Sequence, residues 1–376
     1  MNPGFVVGVK GKVAALPALF VAVLFACAPA DQASTDGEAD GSAGGPSAVD
    51  NLVLPEEVHL ANVRQLTFGG QNAEAYFSFD GQRLTFQSTP RDGQCDQIYT
   101  MDLTGENVQL LSTGQGRTTC SYFYPGDDKI LYSSTHHHSA ECPAPPDFSR
   151  GYVWPVSSTY DVWVKDLSSG ELSQLTDEPG YDAEATFSPQ GDRIVFTSVR
   201  DGDLDLYSMA PDGSDVQRLT DRVGYDGGAF YSPDGSQIVW RAHYPVGDEA
   251  VGDYTALLAE ELIRPSVLEL WVMDADGSNK RQITSNGAAN FGPFWHPSGE
   301  KIIWSSNQAD PQGRDFDLFM INLDGTGEEQ VTFTEDFDGF PVFSPDGRSL
   351  VWGSNRANEL EGETNVFIAD WVENPS

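Results

Sequence analysis

A short pattern, an aromatic residue followed by Ser-Pro-Asp-Gly or a close relative, recurs along this chain and restricts its fold more than any other feature. Five clear copies are Phe77-Ser78-Phe79-Asp80-Gly81, Phe187-Ser188-Pro189-Gln190-Gly191, Tyr231-Ser232-Pro233-Asp234-Gly235, Trp295-His296-Pro297-Ser298-Gly299 and Phe343-Ser344-Pro345-Asp346-Gly347, and Phe123-Tyr124-Pro125-Gly126-Asp127 is a degenerate sixth. Each is followed by an alternating apolar run, such as Arg193-Ile194-Val195-Phe196-Thr197-Ser198, so the pattern is the turn of a β-hairpin. A third run ending in Asp, Asn or Lys-Asp comes next, and a fourth short run such as Gln174-Leu175-Thr176 or Arg218-Leu219-Thr220 completes the unit. Four strands per unit, about 44 residues apart at closest, predict an all-β, six-bladed propeller of four-stranded blades.

The last unit stops after its third strand at Asp370-Trp371, yet a fourth-strand motif, Arg64-Gln65-Leu66-Thr67, stands before the first unit without a blade of its own. The segment at about 62–67 is therefore expected to pair with the last blade and close the ring, which removes an exposed sheet edge. Blades are expected to start near 72, 118, 182, 226, 290 and 338, with the propeller spanning 56–371 and a tail at 372–376.

Ahead of the propeller, Lys10 and Lys12 precede an apolar run from Val13 to Ala26, so residues 1–27 read as an export signal too short to span a bilayer. Its end, Leu24-Phe25-Ala26-Cys27, resembles the lipobox of bacterial lipoproteins. That resemblance implies lipidation at Cys27 and a membrane anchor; plain cleavage without lipid is the alternative. Residues 28–55, acidic and rich in Gly and Ser, lack apolar periodicity and read as a flexible linker. Acidic residues number 57 against 21 basic, a formal charge of −36, which excludes nucleic acid as a partner bound through phosphate contacts.

The repeats resemble the PD40-type repeats of TolB-like propellers over roughly residues 61–371. The resemblance implies a binding scaffold of the periplasm, outer membrane or cell surface, engaging an envelope protein, peptide or glycan. Similar repeats occur in oligogalacturonate lyases and in propellers that precede peptidase domains. The competing readings are therefore a metal-dependent polysaccharide lyase or hydrolase, and the recognition subunit of a separately encoded peptidase. The chain is expected to be monomeric.

Chain direction locates the working face. If the Ser-Pro-Asp-Gly turns lie below, the loops between second and third strands lie above, and both long insertions, Thr135 to Thr159 and His243 to Val267, fall there. Counting back from each aromatic places Asn72, Thr118, Asp182, Asp226, Asn290 and Asp338 around the upper channel mouth, with Glu74, Cys120, Glu184, Gly228, Gly292 and Phe340 deeper. The carboxylates and amides among them, Asn72, Glu74, Asp182, Glu184, Asp226, Asn290 and Asp338, point to an amine or a divalent cation such as calcium as ligand. Alternatively, and compatibly, Asp and Asn cap the preceding turns. Trp154 and His243, in the two inserts, join the ligand-facing set. In the second insert Asp253 is expected to cap a short amphipathic helix bearing Tyr254, Leu257, Leu258 and Leu262, stopped by Pro265 and laid over the upper face as a partial lid.

Of the cysteines other than Cys27, Cys95 and Cys142 lie on neighbouring upper loops and are the preferred disulfide pair, leaving Cys120 free and mostly buried. His136-His137-His138 lacks a second ligand pair to complete a metal site and reads as a solvated loop. No Gly-x-Ser-x-Gly, phosphate-binding glycine loop or His-Glu-x-x-His segment occurs, so no catalytic residue is assigned.

Overall fold

The computed structural model describes residues 52–373, except 94, 312 and 336, together with Pro375; the export signal, Cys27 and most of the expected linker lie outside the described residues. Six four-stranded antiparallel sheets form the blades. Their first strands are Gln71–Phe77, Thr118–Phe123, Asp182–Phe187, Tyr225–Tyr231, Asn290–Trp295 and Asp338–Phe343. The fourth strand of the sixth blade is Leu60–Gln65, which pairs with Asn365–Trp371 in the register Leu60 to Trp371 and Gln65 to Phe367.

The repeated turn holds its shape through one hydroxyl. Ser232 donates to Asp234 Oδ1 at 2.6 Å and accepts from the Gln237 amide at 2.9 Å, and Ser78 and Ser344 do the same in their blades. Gly235 closes the turn at φ 76°, a left-handed conformation that a β-carbon disfavours.

The fourth-strand Thr explains the other repeated motif. Thr220 donates to Asp205 Oδ1 at 3.1 Å and accepts the Leu206 amide at 2.8 Å, fastening the top of the third strand to the fourth. Thr176, Thr284 and Thr332 repeat the device, Ser112 serves in the first blade, and Thr67 performs it on Asn365 and Val366 across the closure. Replacing Thr220 by Val should leave the Leu206 amide without this partner in a buried site. We expect a loss of about 1–3 kcal/mol in urea unfolding, with the m-value unchanged.

A buried aromatic occupies the centre of every second strand: Phe86, Tyr132, Phe196, Trp240, Trp304 and Trp352, all 2% exposed or less. The indoles of the last three donate to the start of their own first strand, Trp240 to Asp226 Oδ1 at 2.6 Å, Trp304 to Asn290 Oδ1 at 2.9 Å and Trp352 to Asp338 Oδ1 at 2.9 Å.

Every first strand also bulges once, where its register shifts against the second strand. Glu74, Cys120, Glu184, Gly228, Gly292 and Phe340 sit at these bulges with φ between 46° and 60°. Four of the six are not glycine, and a bulge turns such a residue out of the pleat. Here that direction is the central channel.

Candidate functional site: a lidded chamber in the upper channel

The two inserts meet above the channel. Trp154–Pro155 of the first pairs antiparallel with Leu262–Ile263 of the second, and the Val156 amide adds a bond to the Glu261 carbonyl at 2.8 Å. Arg150 pairs with Glu260, and Arg264 reaches the Arg150 carbonyl and Asp253. Val153, Leu257 and Leu262 pack beneath. The helix α1 spans Asp248–Leu258, beginning five residues before the expected cap; Gly247 precedes it, and Asp248 and Glu249 lie in its first turn, where negative charge suits the helix dipole. Asp253 lies within the helix and pairs with Arg264, while Leu262 leaves it for the short strand because that strand has a partner in the other insert. Tyr254 anchors the lid to the third blade by donating to Asp203 at 2.5 Å.

At the outer shoulder of the lid Cys95 and Cys142 form a disulfide with Cα atoms 5.8 Å apart, and Cys120 is a free thiol. His136 and His137 pack on Trp163, and His137 pairs with Asp161 at 2.9 Å. Among the described residues no group of three or more His, Cys, Asp or Glu could hold a metal ion.

The six strand-start residues are buried. Besides the three that accept from indoles, Asp182 takes a two-pronged contact from Arg200 at 3.1 Å to each oxygen, and Asn72 accepts from Ser88 at 2.7 Å. Asp338 also contacts Arg356 at 3.1 Å, and Arg356 in turn pairs with Glu57 at 2.9 Å; all three side chains are at most 5% exposed. These groups therefore tie strands, turns and the N-terminal segment together. Among the described residues these carboxylates and amides form no group that could hold a divalent cation. His243 lies at the foot of the second insert, half-buried, with burial lowering its pKa.

The bulge residues instead line a chamber of about 20 Å³ below the lid, together with Tyr76, Phe230 and Arg241. Arg241 is the residue that sequence reasoning missed. It stands in a second strand where the other blades have Gln87, Ser133, Thr197, Ser305 and Gly353, and it pairs with Gly227. An arginine flanked by Trp240 and Ala242, opposite two glycines, was the available signal: a β-carbon on Gly228 would lie 2.1 Å from its Nη1. Arg241 bonds Glu184 Oε1 and the Tyr225 hydroxyl, and Glu184 Oε2 accepts from Thr197 at 2.8 Å and from the Gly228 amide at 3.0 Å. Trp154 of the lid stands over this pair, with the guanidinium 5.6 Å from its ring, inside cation–π range. Burial pushes Glu74 up to about 7, partly offset by a hydrogen bond with Cys120. Burial also raises the Cys120 thiol, which leaves it a poor nucleophile.

An aromatic plug closes the chamber below: Tyr76 to Phe230 at 5.8 Å and Phe230 to Phe294 at 5.2 Å between ring centroids. Beneath it the lower mouth opens as an apolar funnel of about 240 Å³ walled by Phe79, Pro189, Pro233, Pro297 and Pro345 of the repeated turns.

A family model described as the TolB beta propeller domain (PD40) matches residues 149–247. An uncharacterised protein of Agrobacterium fabrum is 29% identical over 168 residues, covering 43% of this chain and 52% of its own length, so the match spans about half of that relative. Among solved structures, a TolB of Agrobacterium tumefaciens aligns at TM-score 0.53 and 20% identity over 81% of this chain and 91% of its own. TolB of Acinetobacter baumannii aligns at 0.51 and 18% over 82% and 65%. At these identities the structural likeness concerns the fold: the chain is a six-bladed β-propeller with the fold of these TolB structures, and residues 149–247 match the TolB propeller model.

Proposed function

We propose that the protein is a non-enzymatic binding scaffold of the cell envelope, exported and anchored through Cys27, whose upper face engages a protein or peptide partner. The observation that carries this reading is the distribution of exposed apolar side chains. Phe68, Tyr152, Val223, Val246, Val267 and Leu360 all lie in upper-face loops or the lid, with Val246 83% and Phe68 65% exposed. Val58, Val108, Leu110 and Val216 are also exposed away from this face, but the four most exposed, Val246, Phe68, Leu360 and Tyr152, all lie on it, and such side chains are what a protein partner would cover. The small chamber supports recognition on the outer surface of the lid, since a space of about 20 Å³ admits neither a sugar nor a peptide side chain. The acidic charge of −36 favours a partner with a basic surface.

Photo-crosslinking residues placed in cells at Tyr152 and Val246 test the reading against Val216, in a lower-face turn. Discrete crosslinked species are expected from the first two positions and not from the third. Crosslinking from Val216 alone would move the binding surface to the other face.

A further inference from the structure

The chamber contains one charge too many for its own contacts. Glu184 and Arg241 neutralise each other, and both Glu184 oxygens have donors. Glu74 is the remainder. Cys120 shares a hydrogen bond with its carboxyl group, but Oε2 is buried and has no hydrogen-bond partner. An unpartnered buried carboxylate oxygen costs on the order of 1–3 kcal/mol or more, so something that donates to it at this point would stabilise the fold.

Size and lining restrict what that could be. The chamber beside Glu74 is about 20 Å³, space for one occupant the size of a water molecule. Its walls combine Glu74, the Glu184–Arg241 ion pair and the rings of Tyr76, Phe230 and Phe340, and the absence of a side chain on Gly228 makes room for the Arg241 guanidinium. Carboxylate oxygen with aromatic rings is a setting that attracts a compact cation bearing N–H donors. With Glu184 and Arg241 paired, an ionised Glu74 leaves the chamber net negative, which disfavours an anion, and one unpaired carboxylate does not balance a divalent charge.

We propose that this chamber is a binding site for a single ammonium-sized monovalent cation, held by the Glu74 carboxylate against the aromatic walls beneath the lid. Binding joins the cation to the ionised Glu74 carboxylate, and a proton held there at lower pH leaves to solvent, so the occupied chamber carries no net charge. The site is independent of the partner-binding role of the outer surface.

The experiment compares thermal unfolding of the full chain at about pH 8 in ammonium, sodium and tetramethylammonium chloride at equal ionic strength, for wild type and Glu74→Gln. Ammonium should raise the wild-type unfolding temperature by roughly 2–4 °C over tetramethylammonium, which is too large to enter, and should leave Glu74→Gln unmoved. The same increment in Glu74→Gln, none in wild type, or sodium matching ammonium would overturn the assignment, the outcome expected if the chamber holds only water. Should Glu74→Gln not fold, crystals of the wild type soaked in thallium(I), a heavy cation of ammonium size, decide the matter. Anomalous density in contact with Glu74 supports the site and its absence overturns it.

Discussion

A chain that begins after Thr67 is expected not to fold cooperatively. The truncation takes away the outer strand of the sixth blade and, with it, Leu60 and Leu66, which are 5% and 3% exposed. Burial of each is worth about 1.5–3 kcal/mol. It also takes Thr67, whose hydroxyl accepts the Val366 amide at 2.9 Å, and Glu57, the carboxylate that faces Arg356 inside the protein. Removing one partner of a buried ion pair costs about 3–5 kcal/mol, because the other charge stays buried. Together these losses are comparable to the whole stability of a typical domain, about 5–15 kcal/mol. The newly exposed strand Asn365–Trp371 is in addition an edge that invites aggregation. Size-exclusion chromatography and circular dichroism should show aggregate or a broad, early melt. A single sharp transition near the wild-type temperature would show that closure is dispensable. Arg356→Ala isolates the ionic part and should lower stability by about 3–5 kcal/mol in the full chain.

Asp226→Asn should stabilise the protein at neutral and mildly alkaline pH while changing little near pH 4. Asp226 is fully buried, its Oδ1 accepts from Trp240 and Tyr244, and its Oδ2 lacks a partner. Burial pushes its pKa up to about 7 from the ordinary aspartate value of 3.8. Between those two values the folded protein holds a proton that the unfolded chain has released. The stability present at low pH is therefore lost as pH rises towards 7. Glu74 and Asp317, also raised to about 7 by burial, act in the same direction, so the wild type should be less stable at pH 8 than at pH 5. Asparagine does not titrate, and the fifth blade already carries it here, where Asn290 accepts from Trp304. The gain at pH 8 over that at pH 4 should be about 4 kcal/mol, read from urea unfolding at the two pH values. A difference between variant and wild type that is the same at both would mean that Asp226 does not titrate in this range.

Blade number, strand order and ring closure were legible because each rests on local chemistry repeated several times. A serine that ties its own turn, a threonine that fastens two adjacent strands and a glycine at positive φ work through neighbours a few residues away. The position of the inserts on one face followed from chain direction alone. The residues at the first-strand starts were visible as a pattern, but their engagement was not. Whether Asp226 meets solvent or the Trp240 indole depends on an aromatic fourteen residues later that has to pack first.

Sequence periodicity thus determined the six sheets, their order and the partner of the N-terminal strand, since hydrogen bonding in sheets obeys short-range rules. Only tertiary structure decided what the channel contains. Arg241 reaches Glu184, which lies 57 positions away on another blade, and Trp154 reaches Arg241 from an insert on a third. Charge compensation, burial of Glu74 and the volume left beneath the lid are properties of groups brought together from distant parts of the chain, so no local pattern encodes them.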